Sequence, residues 1–364
     1  MKIGLLSYHK NYNYGWNLQC YALMTVLKSM GHDVVLIDKR KFRNPTLGYS
    51  IKRVAKTIYS LCHIAETKIN YENEQKRKGH KIEFFFEKYI NPKSNVIINK
   101  KGYKSLPPFD ALVVGSDQVW RKKLVTPLAD YFFNFVDYKT ILISYAASFG
   151  VDYAEYSEEE VKYCGQLIER FKAVSVREPS GIKLIKDVYK WNCNPVVMPD
   201  PTLLLSSHDY EKIINNTTFQ SGGLFCYILD MNTDKEKVIE RLSTTYSLNT
   251  HIINLNGEQI YPSIEEWLCS FRNAEFIFTD SFHGCVFSII FRKPFIAYGN
   301  VKRGLARFIS LLDTFNLRDR LINSFSDIEQ IDLLNFKNID KEYIDIVQNK
   351  ICKKAYNFLL SELK

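Results

Sequence analysis

The sequence predicts an α/β protein built from two Rossmann-like domains that face a cleft. Two observations predict it. Short apolar runs of strand length alternate with stretches of helical spacing, and the alternation restarts after a break punctuated by prolines near residue 196. The length of 364 residues agrees, since it exceeds one ordinary compact core and suits two domains of roughly 150–200 residues. A hydrophobic content of 46% with 14% aromatics rules out disorder and promises well-filled interiors.

The first strand is "KIGLLSY" (2–8) and the next is "DVVLIDK" (33–39). Between them "LQCYALMTVLKSMG" places Leu18, Ala22, Val26 and Leu27 at helical spacing, and Gly31 stops the helix. Strand, helix, strand at this spacing is a βαβ unit, which implies a parallel sheet covered on both faces. "ALVVGSD" (111–117), "TILISYAAS" (140–148) and "AVSVRE" (173–178) supply the other strands of the first half. The helix "SEEEVKYCGQLIERFK" opens on a Ser157 cap with acidic residues in its first turn. After "PVVMPDPTLLLS" (195–206) come the strands "GLFCYILD" (223–230), "HIINLN" (251–256), "AEFIFTD" (274–280) and "KPFIAYG" (293–299). "DKEKVIERLSTTYS", "SIEEWLCSFRNA" and "HGCVFSIIFR" are the helices between them.

The last piece, "DKEYIDIVQNKICKKAYNFLLSELK", is a long amphipathic helix. Its apolar side of Ile, Leu, Val and Tyr lacks an unusually basic polar face, which favours packing back across the first domain over lying on a membrane. The expected division is 1–200, 201–340 and a C-terminal helix over 341–364.

No apolar run approaches the roughly 20 residues that span a bilayer. The apolar run Ile3 to Leu6 at the start is too short for a signal peptide, so the chain is expected to be cytoplasmic. Eight cysteines are scattered without a CxxC or a Cys/His cluster, so they read as small buried hydrophobes and no metal is expected. The net charge is +9, and its densest basic segment runs from Lys39 to Lys104. A solvated face, a nucleic-acid surface and a surface drawn to anionic lipid or phosphorylated substrates compete for it. No nucleic-acid motif accompanies the charge.

Several stretches offer chemistry at strand ends, where open parallel sheets bind ligands. "YHKNYNYGWNLQ" holds only Gly15, without G-x-G-x-x-G or G-K-[ST], so neither a classical dinucleotide site nor a P-loop is expected. Its helix N-terminus offers N–H groups to an anion or a sugar, and Asn13 and Asn17 offer amides suited to hydroxyls. Simple turn and cap chemistry explains the same residues. In "ALVVGSDQVWR", Gly115 permits close backbone approach, while Ser116, Asp117 and Trp120 provide a hydroxyl, a carboxylate and a stacking face. Here too an N-cap role for Ser116 or Asp117 competes. "AVSVREPSG" places Arg177 at a strand end, where it grips phosphate or carboxylate, or pairs with Glu178. In "AEFIFTDSFHG", His283 falls at or just before a helix start, as a proton donor at the cleft or as a core histidine. "NVKRGLARF" adds Lys302, Arg303 and Arg307. Together these residues ask for a compact, highly anionic substrate that must be protonated.

Seven motifs in order make the chain resemble the polysaccharide pyruvyl transferase family. They are "NYGWNLQCYAL", "FDALVVGSDQVW", "SYAASFG", "VSVREPSG", "MPDPTLLL", "FTDSFHGCVFSIIFRKPFIAYGN" and "RGLARFISLLDTFNLRDRL". The resemblance implies a fold of the GT-B glycosyltransferase type with acceptor and donor on the first and second domain. It implies transfer of the enolpyruvyl group of phosphoenolpyruvate to a sugar of a surface-polysaccharide precursor, forming a pyruvate ketal. His283 then matches the acid that protonates the donor's methylene carbon, and Asp117 serves the sugar hydroxyl. Arg177, Lys302, Arg303, Arg307 and Ser281 fall on the donor side; Asn13, Gly15, Asn17, Ser116 and Trp120 fall on the acceptor side. Phosphoenolpyruvate is a substrate, so no cofactor is implied. The acceptor is a lipid-linked or nucleotide-linked sugar; apart from the resemblance, the basic 39–104 segment suggests peripheral contact at the inner membrane face. Two departures stand out. "CYILDMNTD" lacks an arginine that some members carry after the second domain's first strand, a contact that Arg307 can replace. Asp280-Ser281-Phe282 also lacks the arginine of the better-known Ser-x-Arg segment. The competing readings are a GT-B glycosyltransferase using a sugar nucleotide and a non-catalytic sugar- or nucleotide-binding protein.

Overall fold

The computed structural model describes the chain except residues 9–10, 41–68, 138, 215–216, 218–221, 256, 258–259 and 300–303, and the side chains of 69–73. Eleven strands in the described residues form two sheets, and every pairing is parallel. The first sheet consists of β1 (Lys2–Leu6), β2 (Asp33–Leu36), β3 (Ala111–Val114), β4 (Ile141–Ala147), β5 (Ala173–Val176) and β6 (Val196–Val197), in the order β2-β1-β3-β4-β5-β6. The second consists of β7 (Leu224–Ile228), β8 (Thr250–Asn254), β9 (Phe276–Thr279), β10 (Phe295–Tyr298) and β11 (Leu321–Ile322), in the order β11-β10-β9-β7-β8. Strand order reverses between β1 and β3 in one sheet and between β7 and β9 in the other. Each reversal opens a crevice at the strands' carboxyl ends.

The first helix runs from Tyr14 to Ser29, so it starts four residues ahead of the Leu18 its periodicity suggests. Asn13 caps it by accepting from the Trp16 amide at 3.0 Å, which draws Gly15 and Asn17 into its first turns. Ser157 and Glu160 form a reciprocal capping box on the helix Glu158–Ile168, as the acidic start predicts. The edge strands β6 and β11, two residues each, are too short to leave a pattern in the sequence.

The domains are joined by more than their linker. Tyr14 of the first helix stacks on Trp267 at 5.1 Å and 7°, and its hydroxyl donates to the Pro262 carbonyl at 2.7 Å. One hydrophobic core runs through residues of both sheets' helical layers. The last helix, Lys341–Glu362, packs back on the first domain as expected. Lys354 donates to the Val197 carbonyl at 3.0 Å and Lys172 to the Glu362 carbonyl at 2.8 Å, while buried Gln348 donates to the carbonyls of Leu203 and Leu205, just past the first domain, at 3.0 and 3.2 Å. No described helix is long and apolar enough to cross a membrane.

Candidate active site

His283 is the second residue of the helix Phe282–Ile290, directly after the crevice between β7 and β9. Ser281 caps this helix by accepting from the Gly284 amide at 3.3 Å. All nine helix residues are buried, which follows from its apolar composition all round. The imidazole lies against Gly15 of the other domain: a Cβ there would come within 1.9 Å of His283 Nδ1. Glycine is therefore required by close approach, not by an unusual backbone angle. A second such contact joins the domains at Gly304, whose φ is 92° and whose missing Cβ would fall 2.1 Å from the Gly150 carbonyl oxygen.

Beyond the ring stands Asp200, from the segment after β6. Its Oδ2 lies 3.7 Å from His283 Nε2, an ion-pair distance longer than a hydrogen bond. The same oxygen accepts from Arg177 Nη1 at 2.8 Å and from the Ser116 hydroxyl at 3.2 Å. Its Oδ1 accepts from the Thr202 amide at 3.1 Å and from the Thr202 hydroxyl at 2.7 Å. Burial would raise the Asp200 carboxyl, but His283, Arg177 and Thr202 outweigh it and hold the carboxyl well below the usual carboxylate range. Asp200 is thus a buried, permanent negative charge between the two domains.

Arg177 pairs with it, and a second arginine, Arg307, lines the same cavity. Arg177 at the end of β5 is 5% exposed, with Glu178 Oε2 3.7 Å from its Nε. Burial opposes its charge, but Asp200, Glu178 and Asp117 outweigh this and raise its pKa. Arg307 comes from the helix Leu305–Thr314. Burial and the neighbouring Arg177 bring Arg307 down to about 10, against the pull of Glu178 and Asp117. Both cations lie over the Phe282 ring, with the Arg177 and Arg307 guanidinium carbons 4.7 and 5.6 Å from its centre. A cavity of about 520 Å³ adjoins them, lined among others by Arg177, Asp200, Phe282 and Arg307, and by Lys350 and Lys354 of the last helix.

Asp117 follows β3 with a left-handed backbone, φ 81°, unusual for a residue other than glycine. Its carbonyl accepts from the Ser148 amide at 3.0 Å, and its Oδ1 accepts from the Gln118 amide at 2.8 Å. Its charge is felt by both arginines.

The structure gives the expected acceptor-side residues other partners. Trp120 is fully buried, stacks on Phe132 at 5.1 Å and donates from Nε1 to the Tyr131 carbonyl at 3.1 Å, so no face is left for a sugar. Asn17 is also fully buried, and its amide donates to the Asn13 carbonyl at 2.9 Å. Buried Ser116 serves Asp200, and Gly15 makes room for His283. Only Asn13 of these five is exposed, and its side-chain oxygen is engaged as the helix cap. Lys302 and Arg303 lie outside the described residues. Asp200 and Thr202 went unrecognised because "MPDPTLLL" reads as a turn. A lone Asp-Pro-Thr signals the cap of a short helix, here Pro201–Leu204, and nothing local announces its distant partners.

Asp280, before His283, organises the second domain's first turn. It accepts from the Leu229 and Asp230 amides at 2.7 and 3.1 Å and pairs with buried Lys235 Nζ at 2.6 Å. The turn after β7 is therefore held by an ion pair.

Two parallel sheets with crevices opposed across a cleft define a protein of the GT-B type. Its full length can be superposed on solved structures of that type at low identity. The UDP-GlcNAc 2-epimerase of Methanocaldococcus jannaschii, solved with UDP-GlcNAc and UDP, matches at a TM-score of 0.52 and 11% identity, covering 96% of this chain and 99% of that one. A putative UDP-N-acetylglucosamine 2-epimerase from Listeria monocytogenes matches at 0.52 and 11%, covering 100% and 96%. The S. aureus MnaA complex with UDP matches at 0.51 and 13%, covering 96% and 95%. At these identities the likeness concerns the fold alone. No curated protein matches the chain. The polysaccharide pyruvyl transferase family model matches residues 13–303, and the chain belongs to that family of transferases.

Proposed function

We propose that the chain moves the enolpyruvyl group of phosphoenolpyruvate onto a sugar of a surface-polysaccharide precursor, closing a pyruvate ketal. The observation that carries this reading is the buried set His283, Asp200, Arg177 and Arg307, which combines a proton-transfer group with two guanidiniums. A small trianionic donor matches such cations, and preorganised charge is worth most where water is excluded. In this reading His283 delivers a proton to the donor's methylene carbon, while Asp200 supplies a counter-charge at 3.7 Å. Carbon 2 becomes an oxocarbenium-like centre and a sugar hydroxyl adds to it, losing its proton. Phosphate then departs with the C–O bonding pair, and a second hydroxyl of the same sugar adds and loses its proton. Asp117 is the carboxylate assigned to the acceptor hydroxyl, and Ser281 keeps the helix start in place for the donor.

A sugar-nucleotide reading finds less support. The turn after β7, where a Rossmann domain commonly receives a diphosphate, has its Leu229 and Asp230 amides already donated to Asp280.

The test is incubation of the purified protein with phosphoenolpyruvate and lipid-linked or nucleotide-linked hexoses, following phosphate release and acceptor mass together. A mass gain of pyruvate minus water with matching phosphate is expected. Phosphate release without that product, or no turnover with any acceptor, overturns the reading. His283→Ala is expected to lose about 10²–10⁴-fold in rate with its fold intact.

A further inference from the structure

The positive charge of this chain is segregated. Residues 39–104 hold 17 Lys and Arg against 5 Asp and Glu, a net of +12, so the other residues sum to 9 − 12 = −3. Within it, residues 74–104 have described side chains and hold nine Lys and Arg against three Glu, a net of +6. Glu74 and Glu87 are engaged with Lys78 and Lys93 at 2.9 and 3.0 Å. Lys81 reaches Glu266 of the second domain at 3.0 Å. Among the described residues, Lys76, Arg77, Lys88, Lys100, Lys101 and Lys104 enter no ion pair.

The same stretch exposes apolar side chains. Phe84 is 63% exposed, Val96 52% and Ile98 58%. Phe84 shares the helix His80–Tyr89 with Lys88, whose Nζ is 5.9 Å from its ring centre. Val96 and Ile98 flank buried Ile97 on the segment that runs beside β2 through the bridges Leu36–Lys93 and Lys39–Ile97. The stretch also reaches the domain boundary, where the Tyr261 amide donates to the Lys78 carbonyl at 2.7 Å.

We propose that this surface docks on an anionic lipid bilayer, with its lysines and arginine at the lipid phosphates and Phe84, Val96 and Ile98 entering the headgroup layer. Unpaired cations interleaved with exposed apolar groups are what such a surface attracts and takes up. A nucleic acid would match the charge, but the aliphatic Val96 and Ile98 provide no stacking face for a base. The proposal is independent of pyruvyl transfer, because vesicle binding requires no turnover.

Co-sedimentation of the full chain with vesicles tests it. Binding is expected to phosphatidylcholine mixed with phosphatidylglycerol, not to phosphatidylcholine alone, and to weaken as salt rises. Each basic residue near an anionic surface matters enough that Lys100→Glu with Lys101→Glu should weaken binding about tenfold or more. Phe84→Ser should weaken it too, and thermal melting should show both variants folded. Equal binding to both vesicle types, or folded variants that bind like the parent, overturns the proposal. Displacement from vesicles by a duplex RNA or DNA that binds tighter also overturns it, assigning the surface to nucleic acid.

Discussion

Asp200 is the residue on which the candidate site turns, since it receives Arg177, Ser116 and Thr202 and faces His283 across the domain boundary. Its pKa is depressed from the ordinary 3.8, so the ionised form stabilises the folded state above that pH, and this contribution is lost as pH falls below it. Asp200→Asn takes from buried Arg177 its hydrogen-bonded carboxylate and leaves it with Glu178, 3.7 Å away, so it should be markedly less stable at pH 7, by about 3–5 kcal/mol. The gap to the parent should narrow below pH 3.8, and denaturant midpoints measured across acid pH would show a constant gap if the carboxylate were unimportant. Gly15 yields a second residue-scale prediction. Its missing Cβ would fall 1.9 Å from the imidazole, so Gly15→Ala must displace either His283 or the helix start. Its turnover is expected to fall as far as that of His283→Ala while circular dichroism stays native. Full activity would mean that the position of the ring is unimportant. Gly15 was legible as a strand-to-helix glycine, but its purpose was not, because the ring that needs the space lies 268 positions along the chain, 283 − 15.

Among the elements, the helix Lys341–Glu362 contributes most beyond its own length. It covers the first domain and brings Lys350 and Lys354 to the cavity beside Arg177. Gln348, 6% exposed, is its polar anchor on the carbonyls of Leu203 and Leu205. Replacing it with alanine removes the donor to the Leu205 carbonyl, while the Leu203 carbonyl keeps Cys352 Sγ at 3.2 Å, so Gln348→Ala should cost about 1–3 kcal/mol, read as a lowered denaturant midpoint. Its docking was legible from the apolar stripe and modest polar face. The start of the first helix was less so, because "NYNYGW" offers several caps and only Asn13 has the geometry.

At the scale of the molecule, the two domains share a core that includes Tyr14, Trp267, Phe271 and Phe287. Trp267 is fully buried and stacks on Tyr14 at 5.1 Å. A shared core couples the unfolding of its parts, so calorimetry should show a single transition, whereas separate domains would give two. Trp267→Ala should destabilise by about 3–5 kcal/mol and keep that transition single. A variant that melts its second domain alone would show that the domains are energetically independent.

By itself the sequence determined the alternation of strands and helices, the restart that makes two domains, the covering C-terminal helix and the family motifs. All of these are local periodicities or short runs, and hydrophobic spacing records them directly. It also marked His283, Arg177 and Arg307 as strand-end and helix-start residues. Only the tertiary structure decided what meets what. It buried Trp120 and Asn17, turned Ser116 toward Asp200, and placed Asp200 between Arg177 and His283. The physical reason is that a carboxylate is buried at low cost only when the groups that face it leave water with it, and here the arginine and the imidazole lie 23 and 83 residues away, 200 − 177 and 283 − 200.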